Sequence, residues 1–298
     1  MTKSFSRVTV QYSVLTIFFV ANIFIWSVVA RADRHGELTV AFLDIGQGDA
    51  IYIEAPNGNQ MLIDGGPSSG AVLRALGRVM PFYDRSLDIV LATHPDQDHV
   101  GGLPAVIDRM SVGSVVTTEN TSDTGAYGAF EKAIIEKQTA RVLARAGERI
   151  ILDDGVVLEI LFPDRNAAGW DTNTGSIVAR LSYGDESFLF TGDSPQAVEQ
   201  YLIGLPAPSS RQAGKNSGAI HANVLKLGHH GSRTSTAREF LSAVNPEYAV
   251  ISAGKDNKYG HPHKEVTDLL AEFKILALGT FDRGNIVFKT DGEDVWVK

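Results

Sequence analysis

The stretch His94-Pro95-Asp96-Gln97-Asp98-His99 constrains this chain more than any other. It puts two imidazoles and two carboxylates within six residues. An apolar run over residues 87–92 precedes it and reads as a buried strand. Gly101-Gly102 follows, then Leu103-Pro104, which fits the first turn of a helix. Strand-to-helix loops are where α/β folds usually carry chemistry. Imidazoles and carboxylates this close suit one or two divalent cations.

The rest of the chain reads as mixed α and β. Residues 38–43 form a strand ending at Asp44, and residues 50–54 a second. Pro56-Asn57-Gly58-Asn59 is a hairpin turn, and residues 60–63 return to Asp64-Gly65-Gly66. Gly46-Gln47-Gly48 is not a dinucleotide fingerprint, because no helix pattern follows it. Helices are expected over 71–80 and 128–137, and strands over 114–117, 156–162 and 177–182. A strand over 187–190 ends in Thr191-Gly192-Asp193. An Asp there, facing the same sheet edge as His94, is placed to bridge two cations. Residues 205–220 are rich in Pro, Ala, Ser and Gly and read as a loop. The strand 223–227 then runs into Gly228-His229-His230-Gly231-Ser232, where paired imidazoles between glycines are hard to explain as packing. Helices over 235–243 and 266–273 and strands over 248–252, 275–278, 285–290 and 295–297 complete the pattern.

Residues 8–30 carry no formal charge and are long enough to span a bilayer. Lys3 and Arg7 precede them, and Arg31 and Arg34 follow, offset by Asp33 and Glu37. That balance favours the amino terminus inside and the bulk of the chain outside. A cleaved signal peptide is the alternative, since Ala30-Arg31-Ala32 has the A-x-A form. The expected division is residues 1–34 as stub and anchor and residues 35–298 as the catalytic domain. The chain is therefore expected at the cell membrane, single-pass, with that domain extracellular or periplasmic, or else secreted. The chain has no Cys, which removes thiolate ligands, a Cys nucleophile and disulfides.

The His94–His99 stretch resembles the H-x-H-x-D-H signature of the metallo-β-lactamase superfamily, with Asp96 in place of the second His. That form is similar to the nuclease-like domain of ComEC-type DNA-uptake proteins. Residues 43–50 and 62–66 resemble the start of the same domain, and Asn173-Thr174-Gly175-Ser176 matches its Asn-x-x-Ser pattern. The resemblance covers residues 38–298. It implies an α/β fold, the αββα sandwich of two mixed sheets between helices, here after one amino-terminal transmembrane segment. It implies a ligand set of His94, Asp96, Asp98, His99, Asp193 and His229 for two divalent metal ions, Zn or Mn. His230 is then the neighbour that orients or contacts substrate, with the reverse assignment of the two histidines open. Asp64 supports the metal loop. Asn173, a poor Zn ligand, contacts substrate or water.

No separate Ser or Cys nucleophile is needed, because two cations can activate a shared water. Asp98 both holds metal and steers that water. Basic residues outnumber acidic ones from Lys226 to Lys264. Ser232, Lys258 and His261 lie on late loops expected to flank the metals, Lys258 and Ser232 as substrate contacts and His261 as a catalytic group. This suits a phosphodiester, with DNA as substrate and a separate DNA-uptake channel protein as a partner. The alternative is hydrolysis of a small substrate: a phosphocholine ester, a lactone or a β-lactam. A third reading is a metal-binding surface or uptake partner without turnover. A net charge of −8 argues against a broad nucleic-acid surface and leaves room only for a local basic groove.

Overall fold

Residues 7–32, 36–206 and 218–298 are described in the computed structural model of the chain, with side chains of the first helix described over residues 10–26. The chain divides into two units, residues 1–36 and 37–298. In the first, α1 (Arg7–Ala32) is a single helix of 26 residues. Its described apolar side chains are exposed. Among the described residues no helix is long and apolar enough to cross a membrane. Lys3 and Arg34, on which the expected orientation partly rests, lie outside the described residues.

The second unit begins with β1 (Leu38–Phe42), β2 (Ile51–Glu54), β3 (Gln60–Ile63), α2 (Ser69–Val79) and β4 (Ser86–Leu91). The turn α3 (Gln97–Val100), α4 (Leu103–Arg109), β5 (Ser111–Thr117), α5 (Gly125–Lys137) and β6 (Ala140–Leu143) come next. A second series follows: β7 (Arg149–Asp153), β8 (Val156–Phe162), β9 (Val178–Tyr183), β10 (Glu186–Phe190), α6 (Gln196–Ile203), β11 (Val224–Lys226), α7 (Arg238–Val244), β12 (Tyr248–Ile251), α8 (Lys264–Glu272) and β13 (Leu276–Gly279). The short α9 (Thr280–Arg283), β14 (Ile286–Thr290) and β15 (Val295–Val297) return to the first sheet.

The strands make one sheet of order β15-β14-β1-β2-β3-β4-β5-β6 and another of order β13-β12-β11-β10-β9-β8-β7. Period-2 alternation stacks them. Leu38, Val40 and Phe42 of β1 and Phe188 and Phe190 of β10 face one shared core between the sheets. Phe288 packs edge-on against Phe42 at 5.9 Å and Phe188 at 6.0 Å there. The other faces are apolar too. Ala41, Tyr52 and Leu62 pack with α2, α4 and α5. Leu189, Leu225 and Ala249 pack with α6, α7 and α8. Strands buried on both faces need helices outside both sheets, so the result is a four-layer αββα sandwich.

Sequence periodicity missed β6 and β7, which are the outer edges of their sheets. All four residues of β6 are exposed, so no apolar alternation marks it. The helix expected from residue 128 begins at Gly125, because the Thr124 hydroxyl accepts the Tyr127 N–H. Of the expected loop 205–220, residues 207–217 lie outside the described residues. Strands β3 and β4 run parallel in one sheet, and β10, β11 and β12 in the other. The residues that follow β3, β4, β10, β11 and β12 meet at one end of the sandwich.

Candidate metal centre

Asp64 follows β3 in a left-handed conformation with φ 59°. Its carboxylate accepts the Thr93 N–H at 2.8 Å and the Thr93 hydroxyl at 2.7 Å. It also stands 2.8 Å from Nδ1 of His99. The link turns Nε2 of His99 toward Asp193, whose Oδ1 lies 3.3 Å away. His94 leaves β4 one residue after Thr93, with Nε2 4.0 Å from Oδ2 of Asp193 and 3.8 Å from Oδ2 of Asp96. Asp96 stands before α3 and makes no side-chain cap to it.

Asp193 follows β10 after Gly192, whose φ is 52°. A side chain at Gly192 would meet Ser176 and Thr93 at 3.1–3.2 Å. The Asp193 N–H donates to the Ser176 hydroxyl at 3.2 Å. Ser176 closes the Asn173-Thr174-Gly175-Ser176 loop, and its own N–H donates to the Asn173 carbonyl at 3.1 Å.

After β11 both His229 and His230 adopt left-handed backbone, with φ 48° and 56°. Non-glycine residues take this conformation at a cost of about 1–3 kcal/mol each, and only where the surroundings impose it. Here the His229 N–H donates to the Gly192 carbonyl at 3.1 Å. Nδ1 of His230 lies 2.8 Å from the Ser252 carbonyl. A donor bond there leaves Nε2 of His230 free, 3.3 Å from Oδ2 of Asp98 and 3.4 Å from Oδ2 of Asp193. His230 is 1% exposed. His229 has 28% of its side chain exposed, with Nε2 3.7 Å from Asp193 and Nδ1 3.1 Å from the Thr234 hydroxyl. Of the two histidines, His230 is the inner imidazole and His229, the ligand expected from the sequence, the outer one.

Three-donor groups within 4.8 Å are His94/His99/Asp193, Asp98/His99/His230, Asp49/Asp193/His230 and Asp49/Asp64/His99. Of the expected ligands, His94, Asp98, His99 and Asp193 lie together, while Asp96 and His229 stand at the rim. Asp49 is an addition. It closes the turn after β1, where Gly48 has φ 114° and a side chain would strike the Asp98 carbonyl at 2.0 Å. The Asp49 N–H donates to that carbonyl at 3.2 Å. The Gly-Gln-Gly-Asp turn was the available signal, but nothing local shows that it folds against α3.

The protein alone leaves these donors unsatisfied. Nε2 of His94, His99 and His230, Oδ1 of Asp49 and Asp193, and Oδ1 of Asn173 are buried without hydrogen-bond partners. Such atoms cost free energy unless something fills the space. Burial, then the neighbouring His99, push the His94 imidazole down to about 3, so it is a neutral lone-pair donor. Burial opposes charge on His230, but Asp193 and Asp49 outweigh it and raise the group to about 9. Burial likewise opposes ionisation of Asp193, and His230 and His99 overcome it and hold the carboxyl well below its usual range. A buried set of imidazole and carboxylate donors without thiolate fits a divalent cation of the Zn or Mn kind, which would bind His230 in place of its proton.

The late loop reaches the rim. The His261 ring is 5.4 Å from that of His229 and 6.1 Å from that of His230. Burial, then the neighbouring His230 and His229, push His261 down to about 4, so it is neutral. Tyr259 stacks on His261 at 5.6 Å, and Nζ of Lys258 stands 5.0 Å over the Tyr259 ring. Ser232 is buried, and its hydroxyl accepts from the Thr234 hydroxyl at 3.0 Å.

The basic excess counted from sequence shrinks on folding. Arg233 pairs with Glu265, Arg238 with Glu272, Lys264 with Asp268 and Lys226 with Asp49. Lys255 and Lys258 have no ion-pair partner among the described residues.

Fold and site define a class: a four-layer αββα protein with a His/Asp cluster able to hold metal at one end of its two sheets. The chain belongs to the metallo-beta-lactamase superfamily, whose profile matches residues 43–255. It is 31% identical over 266 residues to ComE operon protein 3 of Bacillus subtilis, covering 84% of this chain and 33% of that protein. It is 31% identical over 262 residues to Competence protein ComA of Neisseria gonorrhoeae, covering 87% and 33%. These relatives are competence proteins of the ComEC type, and the chain spans about a third of their length. The metallo-beta-lactamase fold protein YhfI of Bacillus subtilis superposes with a TM-score of 0.56 at 12% identity, over 85% of this chain and 100% of that one. That likeness is one of fold.

Proposed function

We propose that this chain is a dimetal phosphodiesterase that cleaves DNA outside the cytoplasmic membrane. The observation that carries the metal reading is the convergence of unpartnered, buried Nε2 atoms of His94, His99 and His230 on Asp193. Two divalent cations, Zn or Mn, held by His94, Asp98, His99, Asp193 and His230 with Asp96 at the rim, would activate a water and neutralise the reacting phosphoryl group.

The chain supplies the rest. Burial opposes charge on Asp98, but the close approach of His230, at 3.3 Å, and the charge of His99 hold the carboxyl well below the usual range. It stays ionised, is 30% exposed, and can accept a hydrogen bond from the attacking water. His261, a neutral imidazole at the mouth, donates an N–H to the scissile phosphate. Lys258, further out, holds a non-reacting phosphate as a point charge. Asn173 presents its unpartnered Oδ1 to substrate or bound water. The competence relatives favour DNA over a small ester. The mouth offers few unpaired cations, which suits a short contact with the backbone.

The test is turnover by the metal-stripped full chain with Mn or Zn added separately. Substrates are single- and double-stranded DNA, bis-p-nitrophenyl phosphate, a phosphocholine ester, a lactone and a β-lactam. Cleavage of DNA that a chelator abolishes is the expected result. Turnover of only one of the small substrates would replace the DNA reading, and no turnover with either metal would leave a binding role.

The same reading puts residues 8–30 in the membrane with residues 35–298 outside, a secreted form being the alternative, and pairs the chain with a separate DNA-uptake channel protein. The apolar run and flanking charges of the amino-terminal stretch support it. A carboxy-terminal reporter should be active only outside the cytoplasm, and a cytoplasmic signal sinks this placement.

A further inference from the structure

Lys226 ends β11, three residues before His229, and is 1% exposed. A lysine is almost never fully buried unless it is paired. Its ammonium donates to the Gly192 carbonyl at 3.1 Å, is ion-paired to Oδ2 of Asp49, and lies 3.9 Å from Oδ1 of Asp193. Asp49 belongs to two of the three-donor groups, Asp49/Asp193/His230 and Asp49/Asp64/His99. Oδ1 of Asp49 has no hydrogen-bond partner and lies 3.4 Å from Nδ1 of His230. On the inner side of the centre, then, there are donors enough for a cation, and a cation is already there. Burial opposes ionisation of Asp49, but Lys226 and then His230 outweigh it and hold the carboxyl at about 2.

Charge points the same way. Asp49, Asp64, Asp96, Asp98 and Asp193 bring five carboxylates to this region. With the imidazoles neutral, as metal ligands must be, one ammonium among them leaves the charge of two divalent ions to be filled.

We infer that the Lys226 ammonium is a resident cation of the centre. It occupies the inner position that a further metal ion would otherwise take between Asp49 and Asp193. It withholds Asp49 from the metals and confines divalent ions to the donors nearer the mouth. This rests on the metal-centre reading above. A purely structural ion pair joining the turn after β1 to β11 would use the same contacts, so the two are separated by counting ions.

The experiment measures Mn content per chain by mass spectrometry after equilibrium dialysis of the full chain. The proteins are the parent, Lys226→Met, Asp49→Asn and the double variant. Lys226→Met should hold one ion more than the parent, and the double variant should return to the parent's count. Asp49→Asn should keep the parent's count, with affinity within about threefold. The inference is overturned if Lys226→Met holds no more ions than the parent, or if Asp49→Asn loses one. Lys226→Met leaves Asp49 uncompensated and can lose its fold without metal. Refolding on Mn addition, read by circular dichroism, then supports the inference. Failure to refold with Mn while the double variant folds overturns it, and if neither folds the Asp49→Asn count decides. The parent's own count tests the dimetal reading separately: fewer than two ions sinks that reading, while the difference between parent and Lys226→Met still reports on Lys226.

Discussion

Oδ2 of Asp64 and Nδ1 of His99 stand 2.8 Å apart, fully buried, and Thr93 donates twice to the same carboxylate. The carboxylate thus sets the tautomer and the ring plane of His99 before any ion arrives. Carboxylates in this position typically contribute 10–100-fold to metal affinity. Asp64→Asn keeps the shape but brings an N–H toward donors already there. It should weaken Mn or Zn binding by about 10–100-fold in a chelator competition. Parental affinity in that variant would mean that the bond only supports the fold.

His229 and His230 should separate in the laboratory as they do in the structure. His230→Ala removes the 1%-exposed imidazole whose Nε2 faces Asp98 and Asp193. It should lose most of one ion per chain by mass spectrometry. His229→Ala, at the rim, should keep its ions and lose turnover. Loss of metal from His229→Ala alone would restore the assignment first expected from the sequence.

Asp193 lies within reach of His94, His99, His229 and His230. Asp193→Ala should remove most bound metal and, like chelation, abolish activity. Full metal content in that variant would show that the carboxylate does not join the two halves of the centre.

The late loop divides into chemistry and grip. His261→Ala should cut turnover of DNA and of bis-p-nitrophenyl phosphate by roughly 10²-fold or more, with metal content unchanged. Lys258→Ala should weaken DNA binding and reduce the log–log salt slope by about one, with little effect on the aryl ester. If both variants cleave DNA like the parent at every salt concentration, the loop is a solvated connector.

Glu199 of α6 is buried and accepts N–H groups of Thr236 and, at 2.8 Å, Ala237 at the start of α7. Burial raises its carboxyl to about 7, and those N–H donors only partly offset the penalty. A carboxyl raised on folding is favoured in its protonated form. Stability should therefore fall as pH rises from 4.5 toward 7 and level off above, by at most about 3 kcal/mol. Glu199→Gln should remove that fall in urea titrations across this range. An unchanged pH slope in the variant would assign it to other groups.

Local sequence determined the strands buried on both faces, the strand-to-helix turn that carries His94, Asp98 and His99, and the Asp that follows β10. Each is written within a few neighbouring residues, as an apolar run ending in ligand-type side chains. Tertiary structure decided the rest. Whether His229 or His230 turns inward depends on two left-handed residues and on the Ser252 carbonyl after β12. Asp49 reaches the centre because Gly48 packs against the Asp98 backbone, a contact between the first sheet's opening turn and α3. Lys226 reads in sequence as one more surface cation, yet it is buried against Asp49, 177 positions away. Arg233, Arg238 and Lys264 read as free charge until folding brings Glu265, Glu272 and Asp268 beside them. Periodicity reports which face of an element is apolar. Charge and coordination depend on which side chains become neighbours, and for groups far apart in sequence only the packing of the two sheets settles that.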